Sequence, residues 1–293
     1  MGSDDEPNPK DHVSLEGRIS TCANIDGHHH HLRLASYRQA ERVMHGRKAG
    51  PLIRVGTSGW QYRDWRGPFY PDELTQRRWL EHYAKCFSTV EVNATFYHLP
   101  PPETFRKWRD ETSDGFLIAV KASRFITHVR RLEDCAEPMK LLVSRAKRLG
   151  SKLGPFLVQL PPGFRADLDR LRGFVRVAPA GVRMAFEFRD PSWFVEDVFD
   201  VIDAAGAALV LADRPRARIP DVVTGGWSYV RFHQGTERAP GYSRSKLRRW
   251  ADRIESLGVR EVFTYFNNDT GGAAVRDAET FRELLRARSL PVA

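Results

Sequence analysis

The chain is poor in cysteine: three residues in 293, at Cys22, Cys86 and Cys135. An odd number set far apart excludes a disulfide framework and a cysteine-based metal pattern. Cys86 and Cys135 fall on helical patterns, which fits reduced thiols in a cytoplasmic protein. No run of about 18 apolar residues is present, which excludes a spanning helix and a membrane partner. Met1 to Lys10 is acidic and polar, without the basic head and apolar stretch of a secretory signal. No strand is followed by a glycine-rich dinucleotide loop, and Gly56-Thr57-Ser58-Gly59 lacks the required spacing. Lysine is scarce beside arginine, supplying only nine of 46 basic residues.

What is abundant is positive charge. The formal net charge is +9, and the excess sits after residue 50. Such a surface favours anionic partners, although ordinary solubilising charge accounts for it equally well. Residues 1–50 have few apolar positions and no sustained period, and read as a largely disordered N-terminal extension. They hold six of the ten histidines, including the run His28–His31. That run reads either as a weak metal-binding tract or as a flexible tail. A loosely spaced helix is expected over 32–44.

From Leu52 onward, short β-rich runs alternate with helical patterns. Strands are expected at 52–56, 89–95, 116–121, 156–160, 183–189, 208–213, 227–233 and 261–267. The segments between them carry a 3.6-residue apolar period, as at Leu80, Tyr83, Ala84 and Phe87. Pro100-Pro101-Pro102 delays a short helix at 103–111. Asp190-Pro191 reads as a cap and first helical position. Arg214 to Gly226 is too short for a full helix with loops. This pattern predicts an α/β fold, a (β/α)8 TIM barrel over residues 51–293, somewhat irregular after strands two and six.

Barrel enzymes carry their sites at the C-terminal strand ends. Strand interiors should be apolar, so charged residues there call for pairing. Glu91, Glu187 and Arg231 lie deeper and are expected to form a structural ion network. Lys121, Asp213, His233, Asn268 and His128 are expected to ring the mouth. A lysine, a carboxylate and a histidine in one pocket are the parts of acid–base catalysis. His233 and Lys121 are the candidates for proton transfer, with Asp213 and Glu187 to orient them. Asn93, His128, Arg231, Asn267 and Asn268 are candidates for substrate binding, with Trp60 and Tyr97 as walls. Glu187, Asp213 and His233 with Asn267 or Asp269 would alternatively suit a divalent metal, although no tight ligand spacing supports it. The helix start at Gly271-Gly272 lies where barrels often bind phosphate. The stretch Leu52–Tyr70 pairs a buried strand with a loop bearing Trp60, Tyr62, Trp65, Phe69 and Tyr70, read as part of the rim.

The stretches GTSGWQYRDWRGPFYP (56–71), VEVNATFYHLP (90–100), VKASRFITHVRRL (120–132) and AFEFRDPSW (185–193) carry a family resemblance. LGPFLVQLPPGF (153–164), YVRFHQG (229–235) and YFNNDTGGAA (265–274) extend it. The chain resembles the YecE-like family, a TIM-barrel domain of unknown function (domain of unknown function seventy-two). The family's motifs fall on Glu91, Asn93, Lys121, His128, Glu187, Asp213, Arg231, His233, Asn267 and Asn268. One departure is Gln234, which follows His233 where the family pattern has glycine. The resemblance implies a fold and a pocket and carries no reaction with it.

The residues point to an enzyme acting on a small anionic or polyol ligand by acid–base chemistry, of hydrolase, lyase or isomerase type. Two other readings stay open: nucleic-acid binding or processing, from the arginine excess and rim aromatics, and a non-catalytic ligand-binding barrel. The sequence assigns no oligomeric state.

Overall fold

The computed structural model of the chain describes residues 50–214, 219–233 and 239–293. The N-terminal extension with its helix over 32–44 and its histidine run, and Gln234, lie outside the described residues. Eight parallel strands form one sheet in the order β1-β8-β7-β6-β5-β4-β3-β2. They are β1 (Leu52–Thr57), β2 (Thr89–Val92), β3 (Leu117–Lys121), β4 (Leu153–Gln159), β5 (Met184–Glu187), β6 (Ala208–Asp213), β7 (Ser228–Phe232) and β8 (Glu261–Phe266). The longer helices outside them are α1 (Trp79–Cys86), α2 (Pro102–Asp110), α3 (Ala136–Ala146), α4 (Leu168–Val177), α5 (Glu196–Ala204), α6 (Arg244–Ser256) and α7 (Ala273–Arg286). Among the described residues none of them is long and apolar enough to cross a membrane.

The ring closes between β1 and β2, where the ladder contact among the described residues is the bridge Ser58↔Glu91. Side chains complete the seam. The Tyr83 hydroxyl accepts from the Thr57 amide at 2.8 Å and donates to the Thr89 carbonyl at 3.1 Å. Gly56 makes this approach feasible, since a Cβ there would stand 2.1 Å from the Thr89 carbonyl oxygen. Lower down, the C-terminal segment fills the open edge of β1: Ile53 pairs with Val292, and the Ser88 hydroxyl donates to the Ala293 carbonyl.

Two apolar cores follow from the two faces of each strand. One lies between strands and helices and includes Ile53, Val55, Trp79, Phe186, Phe232 and Phe281. The other fills the barrel with alternate residues, among them Ala119, Leu157, Ala185, Val210, Tyr229, Phe263 and Tyr265. Two residues further along the same strands, the inward positions become Lys121, Gln159, Glu187, Ala212, Arg231 and Asn267. The floor of the barrel is thus apolar and its upper layer polar.

Three local outcomes differ from the expected pattern. Strand two stops at Val92 rather than 95, because the Thr95 hydroxyl bonds to the Val92 and Lys121 carbonyls and the chain turns into a short helix, Ala94–Tyr97. Asp190 caps only a single 3-10 turn, Pro191–Trp193, and the true helix starts at Glu196. After β3 the chain forms one π-helical turn, Phe125–Val129, a device common at functional sites.

Candidate active site

The polar layer is built around Arg231. Its guanidinium donates to Glu187 Oε2 at 2.6 Å and to Glu91 Oε1 at 2.7 Å. All three side chains are fully buried. The Tyr229 hydroxyl donates to the second Glu91 oxygen at 2.6 Å. Glu187 Oε1 accepts from Gln159 Nε2 at 3.0 Å and from Arg189 Nε at 3.1 Å. Burial would raise the Glu187 carboxyl, but Arg231, His233 and Arg189 hold it well below the usual carboxylate range. Glu91 is lowered for the same reason, burial being outweighed by Arg231 and then Lys121. Burial acts to deprotonate Arg231, and the two carboxylates keep its proton affinity raised instead. With their proton affinity lowered, these carboxylates are ionised at neutral pH, so Glu187 has no proton to exchange there.

His233 stands beside this network with both ring nitrogens engaged. Nε2 lies 3.2 Å from Arg231 Nη1 and 3.6 Å from Glu187 Oε1, and Nδ1 lies 3.1 Å from Asn267 Nδ2. Burial, and then Arg231, lowers its pKa, so the ring is neutral.

The neighbouring cluster is different. Lys121 ends β3, and its Nζ lies 4.5 Å from the centre of the Phe96 ring. The His128 ring meets the same Phe96 edge-on at 5.0 Å. Among the described residues the Lys121 amine has no hydrogen-bonding or ion-pair partner, because both nearby carboxylates are already held by Arg231. Burial, and then the Arg231 charge, bring its pKa down to about 8. His128 Nδ1 lies 2.8 Å from Thr127 Oγ1, and that hydroxyl donates to the Ser123 carbonyl at 3.1 Å. In the tautomer in which Thr127 gives its one proton to the Ser123 carbonyl, Nδ1 carries the hydrogen. Nε2 is left with a free lone pair. Burial, Lys121 and Arg124 lower the His128 pKa and keep the ring neutral.

Strand parity separates the expected mouth residues. Inward positions on β6 are Ala208, Val210 and Ala212, so Asp213 faces the helix layer, where Lys246 of α6 reaches its carboxylate at 2.8 Å. Asn268 follows the inward Asn267 and likewise turns outward. Its amide donates to Asp277 on α7 and to the Pro240 carbonyl, both at 2.7 Å. Lys121, His128, Glu187, Arg231, His233 and Asn267 are therefore gathered at the top of the barrel, and Asp213 and Asn268 are not. Asn93 sits at the start of the short helix after β2, half-buried.

The aromatic residues divide in the same way. Trp60 is only 4% exposed and meets Trp108 edge-on at 5.6 Å, so it packs the interior rather than walling a pocket. The Tyr62 and Trp65 rings meet at a tilt, with centroids 4.8 Å apart. Tyr97 is 81% exposed and is the one of the two expected walls that presents a face to solvent. The proposed phosphate cradle is partly filled by the protein itself, since Asp64 Oδ2 accepts from the Gly271 amide at 2.6 Å. Among the described residues no three His, Cys, Asp or Glu side chains converge to hold a metal.

Sequence places Phe96 only beside Tyr97 at the flank of the mouth, and gives Thr127, Gln159 and Tyr229 no role. Gln159 and Tyr229 were findable, since both fall on the inward parity of their strands. Thr127 was not, because its role depends on the π-helical turn.

The family model described as "Protein of unknown function DUF72" matches residues 54–292. The UPF0759 protein YunF of Bacillus subtilis is 29% identical over 271 residues, spanning 80% of this chain and 95% of its own. The UPF0759 protein YecE of Escherichia coli is 33% identical over 146 residues, 50% of this chain and 51% of its own. A DUF72 family protein from Thermotoga maritima superposes with a TM-score of 0.72 at 27% identity, covering 80% of this chain and 99% of that one.

Proposed function

The chain belongs to the DUF72 family, and on that footing we propose that its barrel mouth is the active site of an enzyme that moves protons on a small anionic substrate. One observation carries this reading: Lys121 is a mostly buried amine, brought to a pKa of about 8, with no partner of its own. An amine in that range exchanges protons readily at neutral pH, which an ordinary exposed lysine does not. Beside it, His128 offers the free Nε2 of a neutral imidazole. Glu91, Glu187 and Arg231 serve as the rigid charged floor that sets the lysine's proton affinity.

The anionic substrate follows from the surroundings. The charged groups that act most strongly on His128 are cations: Lys121, Arg124, Arg189 and Arg131. The nearest carboxylates are neutralised internally, so the site favours a carboxylate or phosphate. The reading places the protein in the cytoplasm, where the free thiols of Cys86 and Cys135 stay reduced.

A thermal-shift screen of small carboxylates, phosphates and sugar phosphates tests this. The expected result is a ligand that raises the melting temperature of the wild type and fails to stabilise Lys121→Met. Equal stabilisation of both proteins, or a response only to nucleic acid, would count against the reading.

A further inference from the structure

We propose that Lys121 acts as a nucleophile, forming an iminium with an anionic aldehyde or ketone, and that His128 is the proton carrier for that step. This deepens the acid–base reading and rests on it. The geometry has three parts. The first is a lysine amine that, among the described residues, no side chain holds by a hydrogen bond or ion pair. The carboxylates that act on it, Glu91 and Glu187, are bound to Arg231 at 2.7 and 2.6 Å, and among the described residues no ion pair locks Nζ in place. An amine desolvated beside another cationic group is the form in which lysine attacks carbonyls.

The second part is the shared aromatic shelf. Phe96 has the Lys121 ammonium at 4.5 Å and the His128 ring at 5.0 Å. The ring holds the amine without donating or accepting a proton, so the nitrogen lone pair is free for carbon once the amine is neutral. The third part is the hydrogen-bond chain Ser123 carbonyl, Thr127 hydroxyl, His128 Nδ1. In the tautomer in which Nδ1 donates to Thr127, this chain leaves Nε2 unprotonated.

The step balances as follows. The ammonium gives one proton to His128 Nε2. The neutral Nζ attacks the carbonyl carbon, forming the C–N bond, and the carbonyl π pair moves to oxygen. The attacking nitrogen still carries two protons, and one passes to the oxygen to give a carbinolamine. The imidazolium then returns its proton to that hydroxyl, the C–O bond breaks, water leaves and the nitrogen lone pair forms the C=N bond. In sum, ammonium plus carbonyl gives iminium plus water, with no oxidant or reductant. The substrate's negative group is drawn by Arg124, Arg131 and Arg189, the cations that act on the same imidazole.

The test is reductive trapping on the full chain. Glyoxylate, an anionic aldehyde, and propanal, a neutral one, are each added at neutral pH with cyanoborohydride, and the alkylated lysines are mapped by mass spectrometry. The exposed Lys107 and Lys140 are internal references. Lys121 should take up glyoxylate at least about ten-fold faster than either, given its more readily lost proton, and faster than it takes up propanal. Lys121→Arg should lose this fast labelling while keeping that of the two references. Labelling of Lys121 no faster than of Lys107 and Lys140 would overturn the proposal, and equal reaction with propanal would overturn the anionic substrate. Should Lys121 resist both aldehydes yet react early with acetic anhydride, the nucleophilic role falls while the proton-transfer reading stands.

Discussion

Arg231 holds Glu187 through a 2.6 Å contact from Nη1 to Oε2, with both side chains buried inside the barrel. The pair sits in the layer where the barrel filling changes from apolar to charged, directly under the mouth. Removing the cation would leave Glu187 and Glu91 buried without their main partner. Arg231→Met should therefore destabilise the fold by about 3–5 kcal/mol, read as a shift of the urea midpoint at neutral pH.

The same network sets the acid limit. Both carboxylates have folded-state pKa values below their unfolded ones. The unfolded chain then binds protons first as pH falls. The stabilisation is complete above the unfolded carboxylate value and is lost as pH drops through the folded one. Melting temperature followed from neutral pH downward should fall within the acidic range, and the decline should be shallower in Arg231→Met.

Lys121 carries the opposite sign. Its folded-state pKa, about 8, lies below that of an unfolded lysine. The folded chain is thus penalised for holding this charge at neutral pH, and stability rises as pH climbs from the folded value toward the unfolded one. Lys121→Met should stabilise the protein at neutral pH by about 1–3 kcal/mol while removing ligand binding, the trade expected of a functional residue. Calorimetry on the variant checks the sign.

His233 should separate structure from chemistry. Its two nitrogens are engaged by Arg231, Glu187 and Asn267. His233→Leu should lose about 1–3 kcal/mol of stability through unmet polar groups. The same variant should leave the labelling rate of Lys121 within a few-fold of wild type. A selective loss of that labelling without loss of stability would return His233 to the centre of the site.

Gly56→Ala tests the seam. The added methyl would meet the Thr89 backbone oxygen at 2.1 Å, a group with no freedom to move away. A loss of more than about 2 kcal/mol is expected, seen as a melting temperature lower by several degrees.

The barrel was legible because apolar runs and helical periods alternate over the right length. Parity in β2, β5 and β7 also put Glu91, Glu187 and Arg231 on inward positions, and there the three side chains meet. Parity read one residue further would have turned Asp213 and Asn268 outward, toward Lys246 and Asp277. Lys246 lies 33 residues beyond Asp213 and Asp277 nine beyond Asn268, and no local pattern announces either contact. Trp60 looks like a wall in the sequence, but its neighbour Trp108 comes from a different helix. The π-helical turn at Phe125–Val129 has no local signature, so the Thr127 link that fixes His128 was out of reach. Lys121 was visible as a strand end. Its lack of a partner was not, because that depends on Arg231 having taken both carboxylates.

The central claim is that Lys121 is a free amine with a depressed proton affinity, and an NMR titration of the isotopically labelled lysine Nζ, assigned with Lys121→Arg, tests it most directly. The account predicts a midpoint of about 8 for Lys121, with the exposed Lys107 and Lys140 followed in the same spectra as references. A Lys121 midpoint indistinguishable from those two would contradict it.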